Sequence, residues 1–374
     1  MFQHSKLNSE LTFIQKLKKL DYILLTSIVL LSVISLFVMY STDGGEILFH
    51  TKSHFIKILI FFSLMLVISF FNIKFWHFIS YFFYIAVILL LIWASIYGVK
   101  VSGSQRWINL YFIVLQPSEL MKIAIILCLA KYYHRLKMHD ANSFTSIVVS
   151  MSIILIPLIL VLSQPDLGTS VLIAFSGLII LWLGGVKIKY FFISLVAFLI
   201  SLPFIISFLK PYQKLRILTY LDPDRDPLGA GYQIIQSKIA IGSGGFQGKG
   251  FLKGTQSYLD FLPEKHTDFI FTLFSEEFGF LGSIILLLIY SIIIIRIIRI
   301  GIISRSNFAK LFCFGFAFAI FIYIFVNLSM VLGLLPIVGS PLPIMSYGGS
   351  SMLATMIGFG IVLSAKINHR QMIA

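Results

Sequence analysis

The sequence predicts an all-α fold: a polytopic membrane bundle of about ten transmembrane helices with one large extracytoplasmic loop. Three observations carry this. The 374 residues are 58% hydrophobic and only 12% charged, with a mean hydropathy of +0.97. Apolar runs of about 18 or more residues, long enough to cross a hydrocarbon core, recur from one end to the other. Lys and Arg fall unequally on alternate connections. A single integral membrane domain over 1–374 follows, not a string of soluble domains. The first apolar run begins near Tyr22, is too long for a signal-peptide core and lacks a small-residue cleavage site, so it reads as a retained span. Cys128 and Cys313 both lie inside apolar runs, so neither a disulfide framework nor a cysteine metal site is expected.

Ten helices are expected, at 22–40, 55–71, 76–97, 117–132, 145–163, 169–185, 189–209, 269–297, 307–333 and 348–364. Turn residues mark the cuts: Asp43-Gly44-Gly45 after the first, Gln116-Pro117-Ser118 before the fourth, Gln164-Pro165-Asp166 after the fifth. With the N-terminus inside, the connections on that side carry sixteen Lys and Arg, among them Lys16, Lys18, Lys19, Arg296 and Arg299. The short connections on the other side carry four: Lys52, Lys57, Lys100 and Arg106. Residues 1–21 and the tail 365–374 are therefore expected in the cytoplasm. The net charge of +14 becomes an inner-face property. It suits topology and anionic lipid rather than nucleic acid.

Residues 210–268 form the exception, a long polar loop on the outer side. It holds eight basic residues and six acidic ones: Asp222, Asp224, Asp226, Asp260, Glu264 and Asp268. LDPDRDPLGAGYQ is rich in turn residues. Six glycines from Gly242 to Gly254 would let the backbone approach a ligand and turn N–H groups toward an anion. A flexible loop without a ligand is the alternative.

Ionisable residues gather at the outer ends of the expected spans. In PEKHTDFIF, Asp268 sits on the seam between polar loop and apolar helix. A carboxylate at that boundary needs a partner or a task. As a general base it would have one; as an N-cap, with Thr267 or Asp268 capping, it would be structural. His266 is close enough to titrate with it, though a hydrogen-bonding role is the simpler reading. Glu276 and Glu277 lie about 12 Å deeper along the helix, and each needs a basic or hydroxyl partner, Lys122 among the candidates. Arg106 and Lys122 could face phosphate, with Glu119 orienting Lys122. Glu119 and Lys122 are three apart, so an ion pair within one helix is equally open. Gln164, Asp166 and Thr169 occupy a helix start, where capping is the plain reading. The prolines and glycines of 334–351 put irregular backbone at membrane depth, tolerated only inside protein or along a cavity, which Ser346, Tyr347, Ser350 and Ser351 would line. No zinc spacing, Walker loop or dinucleotide fingerprint is present. A polar cavity open to the outer leaflet suits a lipid-linked, phosphate-bearing substrate, and it suits a transporter as well.

GSQRWI, QPSELMK, QPDLGT, LPEKHTDFIF with SEEFGFLG, and PIMSYGGSS occur in this order. In that order the chain resembles the SEDS family (shape, elongation, division, sporulation) over nearly its whole length. GFLKGTQSYLDFLPEKHTDFIF resembles the rod-shape branch more than the division branch. The resemblance implies a ten-span peptidoglycan glycosyltransferase in the bacterial cell membrane that polymerises lipid II into glycan strands during elongation. Asp268 matches the family's essential loop aspartate and would be the general base. Arg106 and Lys122 would meet the leaving pyrophosphate, with Mg²⁺ or Mn²⁺ as an assisting ion and Glu119 as its ligand or as the orienter of Lys122. Gln164, Asp166, His266, Ser346 and Ser350 would complete the substrate site. The expected partners are a class B penicillin-binding protein, other membrane proteins of an elongation complex, and lipid II with the nascent glycan. A lipid II flippase or a scaffold of that complex are the alternatives.

Overall fold

The computed structural model describes residues 12–101, 104–109, 114–137, 139–208, 214, 218–220, 222, 229–255, 262 and 264–373. Asp224, Asp226 and Asp260, with residues 1–11 and most of 209–228, lie outside the described residues. The chain is a polytopic helical membrane protein. Its helices are α1 Phe13–Lys18, α2 Tyr22–Thr42, α3 Phe49–Ser69, α4 Ile73–Tyr97, α5 Pro117–Arg135, α6 Phe144–Ser163, α7 Leu167–Leu183 and α8 Ile188–Phe208. They continue with α9 Ala230–Gly244, α10 Ile270–Ile303, α11 Asn307–Val331 and α12 Gly349–Ile367. Among the described residues seven of these (α2, α3, α4, α6, α10, α11 and α12) are long and apolar enough to cross a bilayer. The other three expected spans are present as helices too. α7 and the apolar part of α8 are shorter, and α5 carries Glu119, Lys122, Lys131 and Arg135.

α5 is the hub. It packs against α4, α7, α11 and α12, and nearly every residue from Pro117 to Lys131 is buried. A helix apolar on every face would do the same in lipid. α5 instead hides polar groups from lipid behind its neighbours, so its charges are compatible with a central place and not with a peripheral one. Lipid-facing helices show the reverse pattern, with Phe78, Phe82, Leu89 and Trp93 of α4 exposed on one side.

Between α4 and α5 the chain forms a small antiparallel sheet: β1 Val99–Val101, β2 Ser104–Asn109 and β3 Val114–Leu115. Its order is β1-β2-β3, with Val99 opposite Trp107 and Ile108 opposite Leu115. No strand is expected there from sequence.

The glycine-rich segment does something other than expected. α10 breaks at Gly279, whose φ is +65° and ψ −160°. Residues 245–250 lie along the break and pair with it through backbone. The N–H groups of Lys249 and Gly250 donate to the carbonyls of Glu276 and Glu277 at 3.0 and 2.9 Å. The N–H groups of Phe280 and Leu281 donate to Gly245 and Phe246 at 3.0 and 3.1 Å. A helix broken in lipid would strand these groups at several kcal/mol each. Two of the glycines serve this close approach: a Cβ on Gly244 would sit 2.2 Å from the Ser275 carbonyl oxygen, and one on Gly248 2.1 Å from that of Glu277. Part of the expected polar loop, Ala230–Gly244, is also a helix, packed on α10 and α11.

Candidate active site

The site residues are assembled at one end of the bundle by α5, α7, α10, α11 and the irregular segment before α12. Asp268 lies in the turn 264–269 that leads into α10 and is half-buried. It is not a helix cap. The N-cap is Phe269, with no side-chain cap bond, and the Thr267 hydroxyl bonds back to Glu264. The Asp268 carboxylate is aimed at the turn of Gly339: a Cβ added there would lie 3.4 Å from Oδ2.

Backbone contacts hold this turn in place. Asn327 Nδ2 of α11 donates to the Asp268 carbonyl at 2.9 Å and to the Ser340 carbonyl at 2.7 Å. The Ser346 hydroxyl donates to the Thr267 carbonyl at 2.6 Å and accepts from Leu342 N–H at 2.7 Å. Tyr347 N–H donates to the His266 carbonyl at 2.8 Å. Within the irregular segment 334–348, residues 342–346 are buried in protein. Their carbonyls are met by the hydroxyls of Tyr290, at Pro343, and of Ser35, at Ile344 and Met345. Ile344 has φ +67°, a strained setting for a β-branched residue, held by burial on every side.

A second group forms where β2, α5 and α7 meet. Asp166 is the N-cap of α7, its Oδ1 accepting from Thr169 N–H at 3.2 Å. Its Oδ2 takes Arg106 Nη1 at 2.9 Å and Gln116 Nε2 at 2.9 Å. One carboxylate therefore caps a helix and anchors a cation. The Arg106 side chain is 27% exposed, the most accessible cation among the predicted site residues. Gly168, two residues on, abuts the Val338 carbonyl so closely that a Cβ would come within 2.4 Å. The Val338–Gly339 turn thereby bridges the Arg106 group and Asp268.

A third group lies deeper. Lys122 Nζ is 2.7 Å from Glu119 Oε1 and 4.0 Å above the Tyr323 ring. The Tyr323 hydroxyl donates to Glu119 Oε2 at 2.8 Å. Glu119 is 3% exposed and Lys122 2%. The pair within one helix is the arrangement observed, and both oxygens of Glu119 are engaged. Tyr323 and Asn327 are one turn apart on α11, so one helix face reaches the buried pair and the Asp268 turn together.

The remaining residues separate from these groups. Gln164 is buried and donates to the Leu91 carbonyl at 2.9 Å, tying α6 to α4. Ser350 joins the start of α12 to β3, accepting from Gln116 N–H and donating to the Val114 carbonyl. Lys122 is not the partner of the paired glutamates. Glu276 binds Lys249 Nζ at 2.6 Å and the Thr255 N–H and hydroxyl at 2.9 Å each. Glu277 accepts from the Ser41 hydroxyl of α2. Sequence reasoning missed Asn327, whose only signal is a lone amide in an apolar helix, and Asp43 and His50, which sit beside His266.

The chain matches the family model of cell cycle proteins that groups FtsW, RodA and SpoVE over residues 15–371. It is similar to the peptidoglycan glycosyltransferase MrdB of Escherichia coli strain K12, 44% identical over 292 residues that make up 78% of each chain. It is similar to the stage V sporulation protein E of Bacillus subtilis, 33% identical over 92% of this chain and 96% of that one. Among solved structures, one from work on how a peptidoglycan synthase complex coordinates polymerization and crosslinking superposes with a TM-score of 0.80 at 29% identity, covering 93% of this chain and 97% of that one. The rod shape determining protein RodA of Thermus thermophilus shares the fold, with a TM-score of 0.71 at 23% identity over 94% of this chain and 98% of that one.

Proposed function

Because the chain belongs to the FtsW/RodA/SpoVE family, we propose that it is a peptidoglycan glycosyltransferase that polymerises lipid II during cell elongation, with Asp268 as its general base. The observation that carries the assignment is the disposition of Asp268. Its carbonyl is bonded by Asn327, its neighbours by Ser346, and its carboxylate is left out of helix capping and directed at the Val338–Gly339 turn. A backbone held this firmly fixes the direction of a catalytic oxygen.

The acceptor sugar's 4-hydroxyl gives its proton to Asp268 as its oxygen attacks the donor's anomeric carbon. The bond to undecaprenyl pyrophosphate breaks, and the step inverts the α-linked donor to a β-linked product. The leaving pyrophosphate develops charge that a positioned cation stabilises. Arg106, partly exposed and oriented by Asp166, has that role. Lys122 is enclosed by Glu119 and Tyr323, so its part is to set α5 against α11 rather than to touch phosphate. Glu119, with both oxygens taken, does not suit a Mg²⁺ or Mn²⁺ ion, and no step above depends on one. The reaction faces the outer leaflet of the bacterial cell membrane, and a class B penicillin-binding protein supplies the crosslinking.

The test is polymerisation of lipid II by purified protein in liposomes, with the partner present and its transpeptidase blocked. Asp268→Asn should lower the rate about 10²–10⁴-fold, the usual contribution of a positioned base, with folding and partner binding intact. Equal rates would remove Asp268 as base. Lipid translocation without glycan from wild type would make the protein a flippase, and neither activity would leave a scaffold.

A further inference from the structure

The geometry points to a divalent transition-metal site formed by Asp43, His50 and His266, outside the groups that the polymerisation mechanism uses. Asp43 is the C-cap of α2, His50 lies in the first turn of α3, and His266 belongs to the turn that carries Asp268. One ligand atom from each lies within 4.8 Å of the other two. His50 Nδ1 is 3.3 Å from Asp43 Oδ1, and His266 Nε2 is 4.0 Å from the same oxygen. Ligand atoms around a tetrahedral ion with bonds near 2.1 Å stand about 3.4 Å apart. The His50–Asp43 pair, at 3.3 Å, is at that spacing and the His266–Asp43 pair, at 4.0 Å, is wider, so closing the site asks for a turn of one ring. The His50 and His266 rings stack at 4.0 Å with a 16° tilt. His50, with 39% of its side chain exposed, is free to make that turn.

The far sides of two ligands are already fixed, as supported metal ligands are. Asp43 Oδ2 accepts from the Thr51 N–H at 2.9 Å and the Thr51 hydroxyl at 2.7 Å, which leaves Oδ1 toward the histidines. The Thr42 hydroxyl donates to the Met39 carbonyl at 2.7 Å. Its oxygen lies 3.0 Å from His266 Nδ1, and this contact holds the ring with Nε2 on the Asp43 side. Two imidazoles and one carboxylate suit Zn²⁺ better than Mg²⁺, Ca²⁺ or Mn²⁺, which prefer oxygen. The half-exposed setting leaves coordination positions for water. Such an ion would clip the α2–α3 connection to the Asp268 turn.

The test uses full-length protein with a tag free of histidine, stripped with chelator and returned to detergent micelles. Zn²⁺ is titrated, retained metal is counted after gel filtration, and Co²⁺ is added as a spectroscopic stand-in. Wild type should hold one equivalent and give the visible bands of a low-coordinate Co²⁺ site. Thr42→Val, which removes the contact with His266 Nδ1 together with the bond to the Met39 carbonyl and leaves all three ligands in place, should weaken binding about 10–100-fold. His50→Ala should abolish it, and His50→Glu, which restores a ligand, should recover it. No retained metal in wild type, or equal binding by wild type, His50→Ala and Thr42→Val, would overturn the site and leave a hydrogen-bonded trio. Binding is read without turnover, so failure here does not touch the polymerase assignment.

Discussion

Replacing Gly279 with Ala strikes the point where α10 breaks and the segment 245–250 enters. The new Cβ would lie 2.2 Å from Gly248 N, 2.7 Å from the Gln247 carbonyl carbon and 2.9 Å from that of Phe246. All three are backbone atoms, so no flexible side chain can move aside. The dihedrals, +65° and −160°, suit glycine alone, and holding an alanine there costs about 1–3 kcal/mol. Moving the segment away to clear the methyl breaks at least the bonds from Phe280 to Gly245 and from Leu281 to Phe246. At about 0.5–1.5 kcal/mol net for each, the total comes to about 2–6 kcal/mol, against about 1 for an average substitution. The assay is the unfolding free energy in mixed micelles. Gly242→Ala serves as control, because a Cβ there meets nothing within 4 Å; it should stay within about 0.5 kcal/mol of wild type or gain from better helix propensity. If Gly279→Ala were as stable as Gly242→Ala, residues 245–250 would not be packed into the break, and the account of the glycines would fail.

Two further expectations concern the groups along α11. Lys122→Met leaves the buried Glu119 carboxylate without its cation, which should cost about 3–5 kcal/mol; adding Glu119→Gln should recover more than half, and a double variant no more stable than the single one would show that the pair is not coupled. Asn327→Leu removes the donor to the Asp268 and Ser340 carbonyls, so the turnover rate at saturating lipid II should fall while KM stays near wild type; a change in KM alone would mean that Asn327 contacts substrate and does not position the turn.

Much of the bundle was legible because lipid forces backbone bonds to be local, and length plus apolarity then mark each helix. Ends were misjudged where polar residues find distant partners. α3 begins at Phe49 rather than near 55 because Thr51 bonds Asp43 and His54 bonds Ser35. α10 runs on to Ile303, past 297, because Arg296 is paired with Asp21 at 2.5 and 3.1 Å and does not need to end the helix in water. The cysteines behaved as small apolar residues, both buried and free. Asp166 was legible as a cap and also proved to hold Arg106, a second task that local pattern cannot show. The glycine-rich stretch misled in a specific way: glycines announce a close approach but not what approaches. The small sheet, the partner of Glu276 and the meeting of Asp43 with His266 all depend on segments far apart in sequence.

The buried Glu119–Lys122 pair raises a question of its own. Two apolar residues of similar volume would be as stable in such a place, or more so, so stability alone does not explain the charges. Their geometry supplies a reason. Tyr323 locks onto Glu119 from α11, and an apolar contact could slide by a fraction of a turn where this bond cannot. One turn along the same helix, Asn327 holds the carbonyls of Asp268 and Ser340. Register between α5 and α11 is thereby carried to the Asp268 turn through about 6 Å of rigid helix. The base proposed at Asp268 must be placed to within about half an ångström, and Asp268 sits on a turn, the least rigid kind of element. The buried charges and the lone amide together make that turn behave as part of the bundle.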